Sequence, residues 1–159
     1  MEFDQAYKEY FHLIYKFAYR IIGDEYQAND IAQETFVKLH RSLNSTDVID
    51  NPKAWLYRVA ANISNNHLKR NSIHNRIIRS IRTDSEYDNI EADFIKKERI
   101  LLVRGALEKL STKERTLLLL YQDGLSYTEM AKIINIRKTS VGKMLSRAIE
   151  KCAGYIGRQ

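Results

Sequence analysis

One proline and six glycines in 159 residues, with apolar residues returning every three or four positions, leave little but α-helix open to this chain. Tyr7, Phe11, Ile14, Tyr15, Ala18, Ile21 and Ile22 trace one stripe, which predicts a helix from about Phe3 to Ile22. Gly23 suits its C-terminal stop. Asp24 and Glu25 suit a helix N-terminus, and Ala28, Ile31, Ala32, Thr35, Phe36 and Leu39 form the inner side of a second helix from about Tyr26. Asn44 to Asn51 reads as a loop, and Pro52 stands where a first helical turn tolerates it. A third helix follows to about Arg70. No convincing alternating strand interrupts this pattern.

Between Asn71 and Asp93 the periodicity thins, and Thr83 to Asn89 has the composition of a linker. Periodicity returns from Phe94 to Leu110. Ser111 or Thr112 with Glu114 offers a capping signal before Leu117 to Tyr121, and Asp123-Gly124 breaks that helix. Ser126 and Glu129 form an S-x-x-E capping box that opens a short helix with Met130, Ala131, Ile133 and Ile134 inward. A last helix runs from about Lys138 to Tyr155. The expectation is an all-α fold of two small helical domains, 1–75 and 94–159, joined by a linker at 76–93.

Charge is distributed unevenly along this frame. Residues 1–75 are neutral, 76–95 carry a net −2, and 96–159 hold 14 Lys and Arg against 6 Asp and Glu, so the chain's +6 belongs to its last third. Such an excess points to a polyanionic partner there. Other classes have less support. No apolar run approaches the roughly 20 residues of a membrane span, and Met1 leads into Glu2, Phe3 and Asp4 rather than a signal peptide. Cys152 is the single cysteine, which excludes an intramolecular disulfide and reads as a small core residue. His12, His40, His67 and His74 lack metal-ligand spacing, and no Gly-rich phosphate loop appears. The expectation is a cytoplasmic protein that is not an enzyme and needs no cofactor or metal.

From Tyr127 to Ser146 the chain has the proportions of a helix-turn-helix. Ala131 is small where the two helices cross. Asn135, four residues on, holds the turn position usually taken by Gly and tolerates a left-handed conformation, while Ile136 and Val141 plug the space between the helices. Lys138, Thr139, Ser140, Lys143, Ser146 and Arg147 then fall on the opposite face, where hydroxyls and cations can meet phosphates and base edges in a major groove.

A second constellation lies on the third helix. Trp55, Leu56, Val59, Ala60 and Ile63 form its apolar side, while Arg58, Asn62, Asn65 and Lys69 recur at four, three and four on another face, widened by Asn66 and Arg70. Amides read base edges, and neighbouring aromatics can stack on an exposed base. A solvated polar helix face would present the same residues.

Taken in order, these blocks resemble a bacterial sigma factor of the extracytoplasmic-function type, over nearly the whole chain. The segment Gly23 to Phe36, with Asp30-Ile31-Ala32-Gln33-Glu34-Thr35-Phe36 at its heart, is similar to the family's grip on the clamp helices of core RNA polymerase. Pro52 to Asn62 and His67-Leu68-Lys69-Arg70 match its minus-10 recognition helix, and Leu110 to Arg115, Gly124 to Tyr127 and Ala131 lead into its minus-35 helix-turn-helix. The resemblance implies a promoter-specificity subunit that binds core polymerase through Asp30, Gln33, Glu34 and Phe36. Phe36 equally suits the core. It also implies minus-10 contacts from Arg58, Asn62, Asn65, Asn66, Lys69 and Arg70, capture of an unstacked base by Asn62 and the loop Ser45 to Asn51, and minus-35 contacts from the last helix. An anti-sigma factor is an implied partner. Gly142 and Met144 stand where the family commonly has cations, and Asn29 and Gln27 also depart from its pattern. The competing reading is a stand-alone helix-turn-helix repressor or activator, which would bind its operator tightly without polymerase.

Overall fold

The computed structural model describes residues 2–45, 48–78 and 91–158, and among them there is no strand. Three helices build the N-terminal half. α1 (Phe3–Ile22) ends at Gly23, whose φ of 81° is left-handed and whose N–H donates to the Tyr19 carbonyl. The backbone conformation is what favours glycine there; a Cβ would meet only the movable end of the Arg104 side chain. α2 (Glu25–Leu43) starts on Asp24, whose side chain accepts from the Gln27 N–H at 2.9 Å. α3 (Pro52–Ile78) begins at the proline, with Asn51 Oδ1 accepting from the Ala54 N–H.

These helices pack because each presents an apolar face to the other two. Phe36 of α2 sits among Phe3, Tyr7 and Phe11 of α1, with ring centroids 5.1 to 6.3 Å apart. Phe17 of α1 meets Tyr57 of α3 edge to face at 5.0 Å, and both rings are buried. Such an aromatic pair contributes about 0.5–1.5 kcal/mol beyond its buried area.

Among the described residues, four helices follow in the C-terminal half: α4 (Glu91–Glu108), α5 (Thr112–Gln122), α6 (Tyr127–Ile134) and α7 (Lys138–Gly157). Ser111 with Glu114, and Ser126 with Glu129, complete reciprocal capping boxes at the starts of α5 and α6. Arg115 donates to the Leu107 and Glu108 carbonyls and so satisfies acceptors that the end of α4 leaves open. Lys151 of α7 reaches Glu114 at 2.5 Å.

Two helices differ from expectation at their ends. α3 continues past Arg70 to Ile78 and α4 starts at Glu91, so both extend into the segment read as linker. Apolar periodicity marks where a helix is buried, while its backbone ladder needs only local hydrogen bonds and no Pro or Gly interrupts residues 71–78. Thr83 to Asn89, the expected heart of the linker, lies outside the described residues.

The halves are packed together. One buried cluster runs from Phe17, Leu56 and Tyr57 through Leu117, Leu119 and Leu120 to Met130, Val141 and Leu145. α3 lies against α5 and α6, and α1 against α5.

Candidate promoter and polymerase interfaces

In the helix-turn-helix each expected position is occupied as its chemistry requires. Asn135 is left-handed, with φ 55° and ψ 56°, and the N–H groups of Asn135 and Ile136 both donate to the Ala131 carbonyl. Ala131 is buried in the crossing and Val141 is fully buried, while Ile136 is partly buried against the same cluster. α7 therefore turns Val141, Leu145 and Ala148 inward. Lys138, Thr139, Ser140, Lys143, Ser146 and Arg147 are all exposed on its outer side. The burial of one face explains the availability of the other.

On α3, Arg58, Asn62, Asn66, Lys69 and Arg70 are likewise exposed and follow one face. Asn65 departs from them. It is half-buried, and its Oδ1 is buried without a hydrogen-bond partner among the described residues, so this side chain turns towards the bundle. An interval of three from Asn62 fits the strip on paper, yet α3's inward stripe of Ala60, Ala61, Ile63 and Ser64 carries Asn65 partly with it. Within the loop before α3, Val48 is exposed and Ile49 packs on the core; residues 46 and 47 lie outside the described residues.

α2 presents Asp30, Gln33 and Glu34 on one exposed face, with Glu34 3.4 Å from Lys38. Phe36 is 2% exposed and belongs to the aromatic cluster, so its direct part in the structure is packing. Sequence reasoning missed two members of the exposed face. Tyr26, 86% exposed, and Val37, 48% exposed, flank the polar trio at intervals of four and three. That spacing is present in the sequence, where Tyr26 also marks the start of the helix.

Where the two halves meet, Asp123 at the end of α5 accepts from Arg20 Nη2 at 2.6 Å and from the Tyr57 hydroxyl at 2.9 Å. Arg20 Nη1 also donates to Gln122 at 2.9 Å. Burial, and next the Asp123 charge, push the Tyr57 hydroxyl well above the usual tyrosine range, so it stays a neutral donor. Asn51 Nδ2 donates to Glu129 Oε1 at 2.7 Å. Glu129 is held below the ordinary glutamate range chiefly by the Ser126 N–H and then by Asn51, with burial opposing. Burial raises the Cys152 thiol, which makes it a poor nucleophile.

Comparison with known proteins agrees with this layout. The profile of Sigma-70 region 2 matches residues 6–73, and that of Sigma-70, region 4 matches residues 100–152. The RNA polymerase sigma-H factor of Pseudomonas aeruginosa is 30% identical over 159 residues, covering 93% of this chain and 82% of that protein. The chain belongs to the sigma-70 family, in its extracytoplasmic-function branch. The ECF RNA polymerase sigma factor SigW of Bacillus subtilis is 28% identical over 148 residues, covering 86% of this chain and 79% of that protein. In fold, the sigma factor RpoE from Bartonella quintana, solved in complex with the anti-sigma factor NepR, superposes with a TM-score of 0.73 at 20% identity, covering 98% of this chain and 96% of that one. The function is that of an RNA polymerase sigma factor, and the stand-alone regulator is not favoured. Among the described residues, no helix is long and apolar enough to cross a membrane.

Proposed function

We propose that this sigma factor sets α2 on core RNA polymerase, α3 with its preceding loop on the minus-10 element, and α7 on the minus-35 element. The observation that carries the assignment is the outer face of α7, where all six side chains expected to meet DNA are exposed while the alternate positions are buried. Lys138, Lys143 and Arg147 supply charge for phosphates and guanine edges, and Thr139, Ser140 and Ser146 supply hydroxyls. On α3, Arg58, Asn62, Asn66, Lys69 and Arg70 meet the minus-10 strand, and Asn65 positions rather than touches. Asp30, Gln33 and Glu34 give α2 a polar contact with polymerase, edged by Tyr26 and Val37.

The working division is 1–75 for polymerase and minus-10 binding, 76–93 as linker and 94–159 for minus-35 binding. Core polymerase supplies the chemistry, so the chain itself catalyses nothing and works in the cytoplasm. An anti-sigma factor is its regulator, as NepR is the partner in the Bartonella quintana complex. Run-off transcription with the purified chain and core polymerase across a genomic promoter library tests the assignment. Specific transcripts above core alone are expected. Their absence from a folded preparation would overturn it.

A further inference from the structure

Apart from the faces assigned to polymerase and promoter, α1, α4 and α5 line a groove of about 380 Å³, a size within the roughly 300–1,000 Å³ of small-molecule sites. Ile100, Val103 and Leu107 of α4 and Leu119 of α5 give it an apolar floor, with Tyr19 of α1 beside them. Ile100 is 55% exposed and Val103 45%. Single exposed apolar residues are ordinary, but these share one concave surface.

The rim of the groove is cationic: Arg20, Lys96, Arg99 and Arg104 line it, and no Asp or Glu does. Two of the four are already engaged. Arg20 is held by Asp123 and Gln122, and the Arg104 guanidinium lies over the Tyr19 ring, 5.3 Å from its centroid. The Lys96 and Arg99 side chains are exposed and make no ion pair or hydrogen bond among the described residues. Charge and apolar surface are also sorted along α4. From Arg99 and Ile100 the apolar face continues through Val103 to Leu107 at intervals of three and four, about 12 Å at 1.5 Å per residue.

We propose that this groove binds a single-chain amphiphilic anion, a free long-chain carboxylate, with its methylenes on Ile100, Val103, Leu107 and Leu119 and its head at Lys96 and Arg99. A polyanion such as DNA would meet the charge and leave the floor uncovered. A carboxylate chain meets both, and its head stays at the exposed rim, so no ion is buried. The chain supplies affinity and the head supplies the choice of charge. Each buried methylene raises affinity about fourfold, whereas an exposed ion pair adds at most about fivefold.

Isothermal titration calorimetry of the full chain with octanoate, decanoate and dodecanoate, below micelle formation, tests the site. Affinity should rise about two- to fourfold per added methylene, less than full burial gives because the groove is open to solvent. Dodecanoate should bind more tightly than dodecyltrimethylammonium, which keeps the chain and reverses the head, and added salt should narrow the gap. In Lys96→Glu/Arg99→Glu that preference should invert, an outcome that misfolding does not produce. Val103→Asp sets a carboxylate on the floor and should weaken dodecanoate about tenfold with the helical signal intact. Affinity that ignores chain length, equal binding of the two heads, a preference that survives the double substitution, or undiminished binding by Val103→Asp would each overturn the proposal. DNA and polymerase are absent from the titration, so its failure leaves the promoter assignment standing.

Discussion

Asn135 fixes the angle at which the recognition helix leaves the turn, and its replacement measures how firmly the backbone is held. It is the one non-glycine residue with a positive φ among the described residues. Its side chain is exposed, so substitutions there report on the backbone rather than on lost packing. An L-residue in this region costs about 1–2 kcal/mol, and Asn less than most because its short polar side chain tolerates the conformation. The backbone cannot relax elsewhere without giving up two N–H donors to the Ala131 carbonyl. Asn135→Ala should therefore cost about 1 kcal/mol and the β-branched Asn135→Val about 2 kcal/mol. Asn135→Gly should fall within about 0.5 kcal/mol of the parent, because relief of strain is offset by the entropy Gly adds to the unfolded chain. For a cooperative chain of this size 1 kcal/mol shifts the melting temperature by about 2–4 °C. Thermal unfolding followed by circular dichroism gives the order Gly and Asn above Ala, and Ala above Val. A Val variant as stable as Asn would show that the left-handed turn is not enforced.

The other substitutions test the faces that the fold exposes. Gly142→Ala should stabilise the chain by about 0.5–1 kcal/mol, because a Cβ there meets only the Tyr127 ring at an ordinary 3.5 Å; a higher urea midpoint with an unchanged slope is the expected reading. Lys143→Ala with Arg147→Ala should weaken promoters that depend on the minus-35 element and, if both side chains meet phosphates, reduce the salt slope of binding by about 1.8; equal loss on every DNA would argue against base readout on α7. Glu114, lowered mainly by Lys151 against opposing burial, and Glu129, lowered mainly by the Ser126 N–H, both titrate below the ordinary value of about 4.5. Depressed carboxyls contribute stability that is fully present above their unfolded pKa and lost as pH falls through the folded one. Acid unfolding should therefore begin below about pH 4.5, and Lys151→Met should narrow Glu114's part of that dependence.

Most of the fold was legible in the sequence because its decisive signals are local. Gly23, Asp24, Pro52, Ser111, Ser126 and Asn135 each act on their own turn of backbone, and each stands in the structure where its chemistry placed it. The extent of α3 was not legible, since a helix can outlast its buried stripe. Nor was the inward lean of Asn65, which depends on how α3 rolls against its neighbours rather than on spacing.

The packing of the two halves was hidden for a different reason. Asp123 reads as half of an Asp-Gly helix stop, Glu129 as the return arm of a capping box, and Asn51 as a loop residue before Pro52. Each does that local work in the structure, with Asn51 capping Ala54 and Glu129 accepting the Ser126 N–H at 2.7 Å. Each also reaches across to the other half, and Asp123 and Arg20 stand 103 positions apart. A polar residue with a sufficient local explanation leaves no surplus to signal a distant partner. Glu129 shows what this double use entails: the carboxylate that starts α6 also holds the loop before α3. Glu129's bond to Asn51 and its bond to the Ser126 N–H use different oxygens, so the start of α6 does not depend on the distant partner.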